Sequence, residues 1–395
     1  MLTRLIARDF RNFEQLDVAV PRRGLVIVGE NGHGKTNVLE AVAYLSLLRS
    51  MRGARDADMI RFGAPALHVR ADVDAPARTN TVSVGYERAT RKKKAILDGV
   101  EQSRLTAALG ALPSVGFSPA DVSLVAGSPG ERRRYLDVAL ALSSKAYLSA
   151  LQHFRAALLR RNTLLRQAQR EGSRAQAHAL SDQISLWEPA LAEHGAMVTA
   201  MRVQFVRGHA ERFSQLADAI GERQPVTMRY AVSSAAGATG LVDDGDDGDD
   251  GDDRSRDLTA HSAHYREAFT RALTHQRPQE MRRGMTLVGP HRDELALLLG
   301  GRELRTFGSA GQQRSAAIAL RLLELATLRD AIGGTPLLLL DDPFAELDLG
   351  RARRVLSLLE DTGVDQVLLA VPRVEDIPDA FTRLERRTMR DGVLT

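Results

Sequence analysis

The run Gly29-Glu30-Asn31-Gly32-His33-Gly34-Lys35-Thr36 constrains this 395-residue chain more than any other stretch. It follows the apolar segment Leu25-Val26-Ile27-Val28 and precedes a stretch of helical character from Lys35 through Leu48. A strand, a glycine-rich turn and a helix in that order, with the spacing G-x-x-x-x-G-K-T at the turn, let successive backbone N–H groups curl round phosphates at a helix N-terminus. On this reading residues Gly29 to Thr36 cradle the phosphates of a nucleotide. Lys35 reaches the β- and γ-phosphates as a catalytic cation, and the Thr36 hydroxyl binds Mg²⁺. The fold must then be α/β, with the strand 25–28 inside a parallel sheet.

Such a site needs an acid delivered by a neighbouring strand. Pro336-Leu337-Leu338-Leu339-Leu340 is apolar throughout and ends in Asp341-Asp342, as a buried parallel strand carrying carboxylates at its C-terminal end reads. Asp341 is expected to hold the Mg²⁺ shell. Asp342 is expected to orient or deprotonate the attacking water; it is one carbon shorter than the glutamate usual in related ATPases, which implies slow turnover. Ser309-Ala310-Gly311-Gln312 opens the helix expected over Gln312 to Asp330 and is similar to the signature of ABC-type ATPases. That likeness implies that Ser309, Gly311 and Gln312 cap the γ-phosphate of ATP held by a second subunit. Phe344-Ala345-Glu346-Leu347-Asp348 then looks like the interface loop that follows the acidic strand.

Between these motifs the chain changes texture. Leu67 to Gly99 reads as antiparallel strands with polar turns, the Asp98-Gly99 pair suiting a tight hairpin. From Glu131 the pattern is helical for about 80 residues. Tyr147, Leu151, Phe154, Leu158 and Leu165 form one stripe, and Leu180, Ile184, Trp187, Leu191, His194, Val198, Met201 and Phe205 a second, a seam that includes Trp187 and His194 as core residues. Pro189 should kink that helix or mark its restart. A helix near His264 to Leu273 and strands near Thr286 to Val288 and Leu295 to Leu299 follow. The division expected is an ATPase lobe from 1–125 and 285–395, with a helical lobe, 126–284, inserted between.

Composition narrows the chemistry. Cysteine is absent and the ten histidines are scattered, which removes disulfides, thiolate metal sites and cysteine nucleophiles. Aromatics at 5% are too few for a base-stacking platform. There is no long apolar run and no leader-like N-terminus, so a cytoplasmic location without a membrane is expected. Net charge is +4, but 243–253 reads DDGDDGDDGDD with eight aspartates, so the remainder carries +12. A basic body points to an anionic partner, nucleotide or nucleic acid. The acidic run itself cannot bury a core, repels itself and reads as a disordered loop, without the pattern of a calcium-binding hand. Arg91-Lys92-Lys93-Lys94, Arg132-Arg133-Arg134, Arg160-Arg161 and Arg282-Arg283 are the basic runs that could face DNA, though each read alone is a solvated surface.

Taken together these segments resemble the RecF family of bacterial DNA-repair ATPases, relatives of SMC-type heads. The resemblance rests on LIARDFRNFEQL at 5–16, GENGHGKTNVLEAVAYLS at 29–46 with Ser50-Met51-Arg52 after it, FSPADVSLVAGSPGERRRYLD at 117–137, LLRRN at 158–162, GPHRDEL at 289–295, FGSAGQQRS at 307–315 and LLLLDDPFAELD at 337–348. It implies a P-loop NTPase of the ABC/SMC-head type with an inserted helical second lobe. The further implications are a weak ATPase, an ATP-dependent homodimer, and binding of duplex DNA and of junctions beside single-stranded gaps. RecO and RecR would act with it to place RecA in recombinational repair, replication restart and the SOS response. Arg11, Asn12 and Arg52 would approach nucleotide or DNA. Pro343 and Ala345 replace the family's usual aliphatic residue and serine, and Ala370-Val371-Pro372 lacks a switch histidine. Two other readings share the P-loop, signature and acidic strand: the ATPase subunit of a transporter, and a nucleotide-gated structural head without DNA. The 272 residues between Thr36 and Ser309 are more than a transporter subunit's compact helical insert.

Overall fold

The chain is described by a computed structural model covering residues 1–395 except 75–79, 171–173, 234–238, 242–253 and 346. Of residues 174–177, 239–241 and 254–257 only the backbone is described. The acidic run 243–253 and Glu346 therefore lie outside the described residues. The chain divides into two compact units, Met1–Val122 with Ala317–Thr395, and Ser123–Ala316. Segment 285–316, expected with the C-terminal part of the ATPase lobe, groups with the middle of the chain. The helix Ala310–Ile332 contains the later division point.

In the first unit a mostly parallel sheet has the order Val393–Leu394, Glu385–Arg390, Gly24–Val28, Val367–Val371, Leu337–Asp341, Ser114–Phe117. Four of its pairings are parallel, and only the terminal hairpin is antiparallel. The central strands LVIV, VLLAV and LLLL are buried along nearly their whole length, which is why they read as continuous apolar runs rather than alternating ones. A second, antiparallel sheet has the order Phe13–Ala19, Leu2–Phe10, Ala66–Val73, Thr81–Glu87, Lys93–Leu97, Val100–Glu101. Its last hairpin turns at Asp98-Gly99, both with positive φ (49° and 80°), as a type I′ turn requires. The helix Lys35–Leu47 is buried on almost every side, its Val38, Leu39, Val42, Tyr44 and Leu45 sharing one core with residues of both sheets.

The second unit is helical but not wholly so. Helices Pro129–Ser143, Lys145–Arg170, Arg174–Ser185, Glu188–Ile220 and Arg254–Arg283 accompany a four-stranded antiparallel sheet ordered Thr239–Leu241, Val226–Ser233, Glu294–Leu299, Arg302–Glu303. Strand Val226–Ser233 buries Val226, Met228 and Tyr230 at every second position, a period-2 signal that sequence reading passed over. Thr286–Val288 is not a strand; it lies in the loop before Glu294, held by side-chain bonds to Asn162 and Glu280. The long seam is interrupted: the chain leaves the helix after Ser185 and restarts at Glu188, with Pro189 in the first turn, where its missing N–H costs nothing. Trp187 is consequently the cap of the new helix and 37% exposed, not a seam residue. His194 stacks on His153, ring centroids 4.8 Å apart.

Motifs that carry no nucleotide chemistry meet inside this unit. Arg202 is fully buried and donates to Asp137 (2.6 Å), the Tyr147 and Tyr230 hydroxyls (2.9 and 3.1 Å) and the Pro290 carbonyl (2.7 Å). Asp293 accepts from the hydroxyls of Tyr230 and Thr199 and from the Ser233 N–H. Arg161, with no exposed surface, lies against Glu188 and Glu280 and donates to Thr286. The segments around 132–137, 161–162 and 289–294 are thus polar connectors in a core, where a charge is tolerated only when paired. His291 sits among them. With its Nε2–H donating to the Thr286 carbonyl, its Nδ1 is buried without a partner, so a second proton has no acceptor. Burial, aided by Arg292, Arg133 and Arg202, pushes its pKa down to about 4. The unfolded chain, with histidine near 6.5, binds the proton more readily, so stability is full above about pH 6.5 and falls towards pH 4. The expected loss is on the order of 2–3 kcal/mol. Urea unfolding of the wild type beside His291→Leu from pH 7 to 4 checks it: the gap between the two should narrow as the pH falls.

Candidate nucleotide site

The C-terminal ends of Gly24–Val28, Leu337–Asp341 and Val367–Val371 open on the same side of the parallel sheet, the side where such sheets present a ligand crevice. There they bound a cleft of about 280 Å³ lined by Asn31, Gly32 and Gly34 to Asn37 of the loop and first helical turn, together with Arg52, Asp341, Asp342 and Pro372. Another hollow, of about 350 Å³, lies at the opposite ends of the strands around Gln366, whose amide already bridges the carbonyls of Leu2 and Pro21. The first is the candidate site, because the glycine-rich loop and both carboxylates line it.

The loop owes its shape to Gly34, which has φ +112°, and whose side chain, were there one, would stand 2.6 Å from the Asn12 amide. That close approach is used: Asn12 Nδ2 donates to the His33 carbonyl at 3.1 Å, and Asn37 Nδ2 donates to Asn12 Oδ1 at 2.8 Å. His33 is held on its other flank by the terminal hairpin, Nδ1 accepting the Asp391 N–H at 2.9 Å and the His33 carbonyl accepting the Gly392 N–H at 3.0 Å. The loop is therefore fixed from both ends of the chain.

Lys35 is the first residue of the helix and 93% buried (7% exposed). Its Nζ donates to the carbonyls of Gly29 (2.5 Å) and Glu30 (2.9 Å) and lies 3.4 Å from Asn31 Oδ1. Burial lowers its pKa, while Asp341 and Asp342 work to raise it. Thr36 Oγ1 lies 2.9 and 3.0 Å from the two carboxylate oxygens of Asp341, although 305 residues separate them in sequence. Burial raises the pKa of Asp341, opposed by the Thr36 bond, Arg52 and Lys35. A hydroxyl beside a carboxylate is the hard-oxygen donor pair that Mg²⁺ takes, and a cation there would hold Asp341 ionised. Asp342 lines the same cleft with φ +45°, its N–H bonded to the Ala370 carbonyl at 2.9 Å.

Arg52 reaches this cleft through a relay. Arg11 forms a two-pronged bond to the fully buried Glu40 (2.8 and 2.9 Å), Glu40 accepts the Ser50 hydroxyl at 2.5 Å, and Ser50 Oγ accepts the Arg52 N–H at 3.1 Å. The resemblance placed Arg11 beside nucleotide or DNA; here its guanidinium serves Glu40 and the Asp58 carbonyl.

Ser309 and Gln312 lie in the second unit, at the exposed N-terminus of Ala310–Ile332. They bond reciprocally, Ser309 N–H to Gln312 Oε1 at 2.9 Å and Gln312 N–H to Ser309 Oγ at 3.3 Å, a capping box one step removed from a bare anion site. Gly311 is half-buried, and its carbonyl accepts the Ser315 hydroxyl. Asp348, in the expected interface loop, caps the helix Leu349–Asp361 by accepting the Arg351 N–H at 2.9 Å.

Several basic residues singled out for DNA have structural duties. Arg132 pairs with Glu294, Arg133 donates to the Asp293 carbonyl, Arg161 is buried, Lys93 pairs with Asp56 and Lys94 with Glu101. Arg160, Arg282 and Arg283 remain exposed. Among the described residues there is no cluster of three or more metal-binding side chains, and no helix is long and apolar enough to cross a membrane.

The RecF/RecN/SMC N-terminal domain family matches residues 1–392. The chain is 37% identical over 381 residues to the DNA replication and repair protein RecF of Rhodococcus erythropolis, covering 95% of this chain and 90% of that one. With RecF of Roseiflexus castenholzii it shares 35% over 418 residues, 100% and 99% of the two chains. A solved structure described as the recombination mediator protein RecF-ATPrS in the RecFOR pathway superposes with TM-score 0.81 at 26% identity, covering 100% and 97%. An Smc head domain from Pyrococcus furiosus, bound to the C-terminal domain of ScpA, shares the fold at TM-score 0.51 and 16% identity, covering 100% and 95%. With phosphate-binding loop, acidic strand and full-length likeness in agreement, the chain belongs to the RecF family, a P-loop ATPase fold of the ABC/SMC-head type.

Proposed function

We propose that this protein is an ATP-switched, DNA-binding recombination mediator of DNA replication and repair. The observation that carries the reading is the Thr36 hydroxyl resting on the Asp341 carboxylate beside the buried Lys35, at the mouth of the parallel sheet. In use, the backbone from Gly29 to Gly34 would bind the nucleotide's phosphates, Lys35 would neutralise the β- and γ-phosphates, and Thr36 and Asp341 would hold Mg²⁺. Bound there, Mg²⁺ supplies charge neutralisation of the terminal phosphates. Asp342 would orient the attacking water, and Pro372, where a histidine could assist, offers no proton carrier, so hydrolysis is slow and serves as a reset. Ser309, Gly311 and Gln312 of a second copy would complete the site, which makes the dimer ATP-dependent; the exposure of that helix start suits the role.

The relatives' shared name, DNA replication and repair protein RecF, and the solved neighbours' description as a recombination mediator in the RecFOR pathway support DNA, RecO and RecR as partners, with RecA downstream, in the cytoplasm. Full-length likeness to such proteins is also what favours repair over a transporter subunit or a structural head. ATP acts as a switch only if it binds the closed dimer more tightly than the open protomer. Fluorescence anisotropy of gapped duplex DNA, titrated with and without ATP–Mg²⁺, tests this. Binding at least tenfold tighter with ATP is expected, and equal affinity in both conditions would remove the switch.

A further inference from the structure

The loop after the helix Arg254–Arg283 gathers exposed arginines. Gly284, at φ +68°, lets the chain turn hard against Lys145–Arg170: a side chain there would meet Gln169 Oε1 at 2.5 Å and the Arg166 side chain at 3.5 Å. Gln169 Nε2 donates to the Arg282 carbonyl at 3.1 Å, and Arg292 donates to the Thr286 carbonyl (3.2 Å) and Met285 Sδ (3.1 Å). Arg166, Arg282, Arg283 and Arg292 are all exposed around this turn, with Met285 44% exposed among them. Arg166 donates to the Asn162 carbonyl of its own helix. Among the described residues none of the four is paired with a carboxylate; Glu280 is spent on Arg161, and Asp293 on Tyr230, Thr199 and Ser233.

We infer that this arginine cluster is a docking surface for the phosphate backbone of nucleic acid. The inference rests on the DNA-binding reading above and assigns it a face of the second unit. Arginines in the last turn complement the C-terminal end of a helix dipole, which accounts for Arg282 and Arg283 but not for Arg166, on another helix, or Arg292, in a loop. Four like charges held together repel one another, and an anion is what relieves them. Guanidinium groups match phosphate geometry in a two-pronged way and lose little hydration on contact. No side chain here is shaped to read base edges, so recognition is by charge and is strongly salt-dependent.

The test is duplex DNA binding by full-length protein in ATP–Mg²⁺ at several salt concentrations. Wild type is compared with the variant carrying Arg166→Gln, Arg282→Gln, Arg283→Gln and Arg292→Gln, and with a milder variant that keeps Arg292. The slope of log K against log salt is expected to shrink by about 0.9 for each arginine that meets a phosphate, and affinity near 0.1 M salt to fall at least tenfold. Thermal melting and ATP binding should stay as in the wild type. A wild type that binds while both variants keep its slope and affinity overturns the inference alone, and leaves the patch to an acidic protein partner. A wild type that binds no DNA overturns the proposed function and the inference with it.

Discussion

Lys35→Met should weaken ATP binding by roughly 10- to 100-fold, which corresponds to losing one or two charge-assisted bonds of about 1.5–3 kcal/mol. Methionine nearly matches the length and buried volume of lysine, so the loop keeps its shape. What disappears is the ammonium that now rests on the Gly29 and Glu30 carbonyls, within the electrostatic reach of Asp341 and Asp342. Turnover should fall further, by about 10²–10³, because a cation matters most where charge develops on the transferring phosphoryl group. Melting of the nucleotide-free protein should hardly change, since the two carbonyls that lose the ammonium belong to half-buried Gly29 and exposed Glu30, where water can replace it. Titration with a fluorescent ATP analogue, beside single-turnover hydrolysis, measures both effects. Unaltered affinity would mean that the loop does not hold phosphate through Lys35.

The second large effect concerns stability. Arg202→Met should destabilise the fold by about 3–5 kcal/mol, the cost of breaking a buried ionic network from one side. The substitution takes two donors from buried hydroxyls, one from Asp137 and one from the Pro290 carbonyl. Burial alone would raise the pKa of Asp137, but Arg202, Arg155 and the Tyr147 hydroxyl hold it below the ordinary carboxylate value. A depressed carboxylate contributes stability that is present above the unfolded value near 4 and is lost as the pH falls through the folded one. The gap between wild type and Arg202→Met should therefore be widest near neutral pH and shrink in acid. Urea unfolding at pH 7 and pH 3.5 would show it. A cost under about 1 kcal/mol at neutral pH would mean that the network relaxes around the loss or that water enters to repair it.

Legibility in the sequence followed locality. The phosphate loop could be read because glycine spacing, the lysine, the threonine and the flanking strand and helix are contiguous, and each has a local physical reason. The acidic strand was readable for a related cause: a strand buried on both faces has to be apolar throughout, so LLLLDD announces both its burial and its end. The long middle helices showed their stripes, yet the seam through Trp187 failed. Periodicity continues across a break when the residues beyond it happen to keep step; Pro189 marked the restart at Glu188, but the stripe alone did not show that Trp187 leaves the seam. Strand Val226–Ser233 was visible as alternation but too short to stand out between helices.

Charge was the least legible property. Arg132, Arg133 and Arg161 look like any basic run, and nothing local says that Glu294, Asp293 or Glu280 waits more than a hundred residues away. Pairing is decided by which elements pack, and packing is a long-range outcome.

The sequence by itself determined the P-loop, the acidic strand, the α/β class and the antiparallel strands of 67–99, because local periodicity and backbone stereochemistry suffice for each. Tertiary structure alone decided that Asp341 meets Thr36 across 305 residues, that Asn12 and Asp391 clamp the loop, and which arginines are buried struts and which face solvent. Those outcomes depend on desolvation, which penalises a charge according to what surrounds it, and its surroundings exist only once the chain has folded.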